Sequence, residues 1–86
     1  MLKLGRLVAT PGVLETISES CIFAALARHI QGDWGEVCET DRQLNDYALI
    51  HGERIHSAYR DAKGTKFWII TEWDRSVTTV LLPEEY

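Results

Sequence analysis

The sequence predicts an α+β fold, with two to three helices in the N-terminal half packed on a C-terminal three-stranded antiparallel β-meander. Three observations carry this. Apolar residues recur at helical spacing between residues 11 and 51, and from residue 53 the period shortens to two. In the last quarter, two β-branched and aromatic runs flank Asp74-Arg75-Ser76, a strong hairpin signal. At 86 residues the chain has room for one small domain spanning 1–86. A chain of this size buries only about 60–65% of the surface its unfolded form exposes.

Leu2 to Ala9 reads either as a short N-terminal strand or as an extended lead-in, because Gly5 interrupts the alternation of Leu2, Leu4, Leu7 and Val8. Thr10-Pro11 is clearer. A threonine hydroxyl can cap free amides, and proline at the first helical position loses no hydrogen bond. A short helix is expected from Pro11 to about Ser18. Ser20 is the expected cap of a second helix, Cys21 to Ile30, with Phe23, Leu26, Ala27 and Ile30 on its buried face. Gly32 ends it. Trp34, in the turn Gly32-Asp33-Trp34-Gly35, is expected to lie over the edge of the core. Thr40 or Asp41 caps a third helix running to His51 and closed by Gly52. Its apolar stripe reads Leu44, Tyr47, Ala48 and Ile50 or His51, with Arg42, Gln43, Asn45 and Asp46 on the wet side.

Arg54 to Arg60, Lys66 to Trp73 and Val77 to Leu82 are the three expected strands, with a turn at Asp61–Gly64 and Pro83 ending the sheet. The middle strand is apolar on both faces. Phe67, Ile69, Thr71 and Trp73 point one way, Trp68, Ile70 and Glu72 the other. Burying a large apolar side chain stabilises by about 1.5–3 kcal/mol, so both faces need cover. The chain's own ends are the expected second cover, with homodimerisation through the sheet face as the alternative.

At 45% hydrophobic and 26% charged, the composition is that of an ordinary globular domain. A net charge of −4 argues against coating nucleic acid through bulk charge, although nine Lys and Arg could still cluster. Cys21 and Cys38 read as small buried hydrophobes, not as a disulfide framework. Neither a signal peptide nor a membrane-length apolar run is present, so a cytoplasmic, bacterial-type protein without membrane association is the expectation. The sequence carries no phosphate loop, dinucleotide fingerprint or Gly-x-Ser-x-Gly, and no metal-ligand spacing, so no cofactor and no metal are expected.

One polar constellation remains. Alternation puts Arg54, His56 and Arg60 on one face of their strand and Ser57 and Tyr59 on the other, with Lys66, Thr71 and Glu72 on the next strand and Arg75 and Thr78 around the last turn. Arg54, His56, Glu72 and Arg75 supply the residue types of metal-independent RNA cleavage: an acid–base pair plus cations for the phosphorane. Helices followed by an antiparallel meander are also topologically similar to barnase-like and RelE-like ribonucleases, a likeness that does not fix function. The simpler reading is a solvated face with cross-strand Arg–Glu pairs, each worth about 0.2–1 kcal/mol.

ARHIQGDWG at 27–35, the Asp41…Asn45…Gly52 spacing and WIITEWDRSVTTVLLPEEY at 68–86 together resemble a small bacterial family of about this length. Its members are labelled hypothetical, plasmid-related, or "type I restriction endonuclease subunit M". The last label fits poorly, since a methyltransferase needs a cofactor-binding α/β domain. The resemblance implies a mobile-element setting and carries over no catalytic residue. The leading functional expectation is a non-enzymatic protein-interaction module, with Trp34, Phe67, Trp68 and Trp73 as its aromatic binding surface. A ribonuclease using Arg54, His56, Glu72 and Arg75 is the alternative. Nucleic-acid binding through Arg54, Arg60, Lys63, Lys66 and Arg75 is a weaker one.

Overall fold

The computed structural model describes residues 2–86. In chain order it contains β1 (Arg6–Ala9), α1 (Pro11–Thr16), α2 (Glu19–Ile30), α3 (Glu39–His51), β2 (Ile55–Arg60), β3 (Lys66–Thr71) and β4 (Val77–Leu81), followed by a 3-10 turn at Pro83–Glu85. The strands form one four-stranded sheet in the order β1-β4-β3-β2. β2, β3 and β4 are antiparallel neighbours, while β1 lies parallel to β4. The sheet is therefore mixed, not the three-stranded antiparallel meander expected. Gly5 makes this possible. At φ +66° the chain runs so close to β4's hairpin that a Cβ would sit 2.3 Å from the Arg75 carbonyl oxygen.

The helix starts follow capping chemistry. Thr10 accepts from the Val13 N–H, and Pro11 occupies the first turn. Ser18, not Ser20, caps α2 by accepting from the Cys21 N–H at 3.3 Å, so α1 stops at Thr16 and α2 starts two residues earlier than expected. Cys38 is the N-cap of α3 and offers it no side-chain bond, and Gly52 closes that helix in the left-handed region.

Both long helices are turned away from the expected faces. α2 buries Ile22, Ala25, Leu26 and His29, leaving Phe23 59% exposed and Ala27 in solvent. α3 buries Asn45 and Ala48, leaving Leu44, Tyr47 and Ile50 60%, 52% and 78% exposed. In each case a polar side chain with partners on the sheet takes the inward position.

The helices cover the sheet face that carries Phe67 and Ile69. There Val13, Ile17, Ile22 and Leu26 pack on Tyr59, Phe67, Ile69 and Val80. Leu2, Trp34, Ala48 and Ile55 form a second cluster. Trp34 and Phe67 are 3% and 0% exposed, so both belong to the core and not to a binding surface. Trp34 also donates to Asp46 Oδ1 at 2.8 Å, which satisfies its buried indole N–H.

Between these clusters a polar line crosses the sheet. Thr78 Oγ1 donates to the Leu4 carbonyl at 2.7 Å, and the Thr71 and Thr78 hydroxyls meet at 2.8 Å. His29 Nε2 meets Thr71 Oγ1 at 2.8 Å, and His29 Nδ1 meets Ser57 Oγ at 2.6 Å. Proton counting fixes the directions. Thr78 uses its only proton on Leu4, so Thr71 must donate to Thr78. Thr71 then accepts from His29, which makes His29 the Nε2–H tautomer; Nδ1 accepts from Ser57, whose hydroxyl also stands 3.3 Å from the Ile69 carbonyl but makes its shorter contact to the imidazole. All four side chains are fully buried, and no buried side-chain polar atom among the described residues lacks a partner.

Burial, and secondarily the Arg75 charge, pushes the His29 imidazole down from 6.5 to about 4. The unfolded chain thus binds more protons between these values. Stability is full above pH 6.5 and declines as pH falls toward 4, by about 3 kcal/mol in all. Urea unfolding at neutral pH and near the lower limit is expected to show this loss. His29→Gln is expected to be less stable at neutral pH and to have a flatter profile, with His56 and, toward the lower limit, the lowered carboxylates of Asp33, Glu39, Asp74 and Glu85 supplying the remaining slope.

Candidate functional site

The outer face of the sheet carries most of the candidate polar residues. Alternation and register place Arg54, His56, Ala58 and Arg60 beside Lys66, Trp68, Ile70 and Glu72 on the side the helices leave open. That face acquires a wall because the free edge of β2 is tied to the segment before α3. Asn45 acts as a substitute strand: its Nδ2 donates to the His56 carbonyl at 2.8 Å, and its Oδ1 accepts from the His56 N–H at 3.2 Å. One step along, the Ala58 N–H donates to the Trp34 carbonyl at 3.1 Å, and the Glu36 N–H donates to the Ala58 carbonyl at 2.7 Å. Gly35 lies between them at φ +73°, where a Cβ would come within 2.0 Å of the Ala58 oxygen.

The result is a cleft of about 440 Å³. His56, Ala58 and Trp68 form one side, Val37, Asp41 and Leu44 the other, and Arg54 and Lys66 also line it. Cys38 lies in this lining and is exposed, against the expectation of a buried hydrophobe, because the N-cap position of α3 faces the opening. Cys21 is half-buried beside the main core.

Trp68 packs with His56 and Tyr86 in an aromatic cluster. Ring centroids are 4.4 Å apart for His56–Trp68, 5.9 Å for Trp68–Tyr86 and 6.5 Å for His56–Tyr86. The C-terminal segment thus supplies cover for the outer face. Arg54 holds it there, donating to the Tyr86 hydroxyl at 2.7 Å, with its guanidinium over the Tyr86 ring and Nε 3.5 Å from Glu72 Oε1. Burial, then the Arg54 charge, lowers the His56 imidazole against an opposing pull from Asp41. Its neutral form prevails at neutral pH, and its ring makes no hydrogen bond within the described residues.

Of the proposed catalytic set, Arg54, His56 and Glu72 therefore share one face, and Arg75 does not join them. Arg75 is instead a latch. Its Nη1 donates to the Glu53 and Glu72 carbonyls at 2.6 and 3.1 Å, and its Nη2 to the Ala48 carbonyl at 2.8 Å. The hairpin is thereby fastened to the C-terminal end of α3. The latch holds Arg75 itself at φ +60°, a conformation that costs an L-residue about 1–2 kcal/mol. Thr71 and Thr78 belong to the buried polar line. Of the four aromatics proposed as a binding surface, Trp68 lines the cleft and Trp73 is 65% exposed at the hairpin.

Of the cations proposed for nucleic-acid binding, Arg54, Arg60 and Lys66 share the outer face and Arg75 does not. Arg60 is bound to Glu36 and the Gly64 carbonyl, and Arg54 and Arg75 are engaged as above. Lys63 and Lys66 form no ion pair among the described residues. No group of three His, Cys, Asp or Glu among those residues could hold a metal ion, and no helix among them is long and apolar enough to cross a membrane. Comparisons with family models, with curated proteins and with solved structures found no match.

Sequence reasoning missed Asn45, Leu44 and Tyr86 as parts of this site. Only Asn45 left a trace, as a polar residue one turn beyond Asp41. Two measurements check the geometry. Native thiol titration is expected to show Cys38 reacting before Cys21, whose thiol burial and Asp61 push up; Cys38→Ser is expected to remove the fast phase. Arg75→Ala is expected to lower unfolding stability by about 1–3 kcal/mol while leaving Cys38 reactivity unchanged.

Proposed function

We propose that the chain is a non-enzymatic interaction module that binds a protein partner in the cleft and along the outer stripe of α3. One observation carries this reading. Leu44 is both a cleft residue and the first member of a solvent-facing apolar row continued by Tyr47 and Ile50. A helix that needed only to close the core would bury these side chains, each worth about 1.5–3 kcal/mol, and not Asn45. Their exposure favours a second, external surface. The cleft adds the apolar Val37 and Trp68, with charges of both signs on Glu36, Asp41, Arg54 and Lys66. This combination suits a peptide with one or two apolar anchors and mixed flanking charge. The mobile-element setting implied by the sequence resemblance is compatible with an accessory protein of this kind.

Peptide-display selection against the folded chain tests it. Selected peptides are expected to carry an apolar anchor and to lose about tenfold or more in affinity for Leu44→Lys and Trp68→Ala. No enriched ligand, or equal binding to both variants, would remove the reading.

A second reading has a specific observation behind it. A neutral imidazole at His56 lies on the face that carries Arg54, Glu72 and Lys66, a set able to serve as base, acid and cations in RNA cleavage. Against it, Arg54 is already committed to Glu72 and Tyr86, and Arg75 stands apart. Cleavage of single-stranded RNA that is lost in His56→Ala would favour this second reading. Equal behaviour of wild type and variant would end it.

A further inference from the structure

The sheet has two edges, and they are finished differently. The β2 edge is sealed by Asn45 on His56 and by Trp34 and Glu36 on Ala58. At the other edge, β1 pairs only with β4. The Arg6 N–H donates to Ser76 and the Thr10 N–H to Val80, so Arg6, Val8 and Thr10 direct their backbone groups inward. By alternation, Leu7 and Ala9 direct theirs outward, where no partner exists among the described residues. Leu7 and Val8 are 46% and 38% exposed. Neither lysine, proline nor bulge protects this edge.

We infer that β1 is a homodimerisation edge, pairing antiparallel with β1 of a second copy about a two-fold axis at Val8. This register uses all the free groups. Each Leu7 faces the partner copy's Ala9 and exchanges both N–H···O bonds with it, while the two Val8 side chains meet across the axis.

Charge selects a second copy over any other strand. In this register Arg6 lies opposite Thr10 of the other chain. Arg6 is exposed and forms no ion pair among the described residues. Thr10 is bonded to Glu85, whose carboxylate also accepts from the Gly12 and Leu82 amides at 2.9 Å and meets no cation. Pairing brings each lone guanidinium to the other copy's lone carboxylate, and the two-fold axis makes the contact twice. The two four-stranded sheets become one continuous sheet with both clefts on the same side. The inference is independent of what the clefts bind.

Sedimentation equilibrium of the whole chain over a wide concentration range tests it. The wild type is expected to form a dimer that weakens as salt rises. Leu7→Pro removes an outward N–H that β4 does not use, together with a half-exposed side chain, so it is expected to be monomeric with unchanged far-ultraviolet circular dichroism. Arg6→Glu, a surface change that leaves the backbone alone, is expected to raise the dimer Kd about tenfold or more. A wild type that stays monomeric throughout would leave the edge to solvent or to another protein's strand and would overturn the inference. So would a dimer that Arg6→Glu leaves unchanged.

Discussion

The polar line from His29 through Ser57, Thr71 and Thr78 to the Leu4 carbonyl is the constraint that most of the structure obeys. It links α2, β2, β3, β4 and the lead-in to β1 with hydrogen bonds that are buried except for the last, to the half-buried Leu4. A buried polar group without its partner costs about 1–3 kcal/mol, so the line tolerates little change of register. A shift of β3 by one residue would put Thr71 on the outer face and leave His29 facing an isoleucine. The line thus selects one register among several that the apolar residues alone would accept.

That constraint also accounts for what could and could not be read from the sequence. Local signals translate directly: Thr10-Pro11 as a helix start, Gly52 as a helix stop, and the two runs around Asp74-Arg75-Ser76 as a hairpin. Helix rotation does not follow from periodicity, because periodicity ranks faces by apolar count. On that count Phe23, Leu26, Ala27 and Ile30 beat a face containing His29, and Leu44 with Tyr47 beat one containing Asn45. The winning faces have polar centres whose partners lie 28 and 11 residues away. No local window contains that information. The parallel seat of β1 is likewise set by a contact with the last strand, outside the reach of any pattern within residues 2–9.

The candidate site divides in the same manner. Period-two alternation puts Arg54, His56 and Arg60 on one face of β2 and Trp68, Ile70 and Glu72 on one face of β3, but that the two faces coincide depends on the β2–β3 register. The wall of the cleft depends on Asn45 bonding a strand edge, and its aromatic cover on Tyr86 reaching back to His56. Arg75 shows the opposite hazard. In the sequence it is a cation at the last turn that joins the catalytic set by residue type, yet its guanidinium is spent on backbone carbonyls. Similarly, of four aromatics that stood out as interface anchors, Trp34 and Phe67 are core. Large aromatic surface stabilises a small domain as readily as it recruits a partner.

The seating of β1 beside β4 bears on the order of folding. Thr10 and Glu85, bonded to each other, are 75 residues apart in the chain. The face on which α1 and α2 pack is completed by Val80, almost as distant. During synthesis the helices therefore emerge well before the sheet that shelters them, with Ile22, Leu26 and His29 unpartnered in the meantime. Closing so long a loop costs entropy before any contact repays it, so a high contact order and correspondingly slow folding are built into this topology. The nascent chain therefore passes through an interval in which the apolar faces of its first two helices have no sheet to cover them.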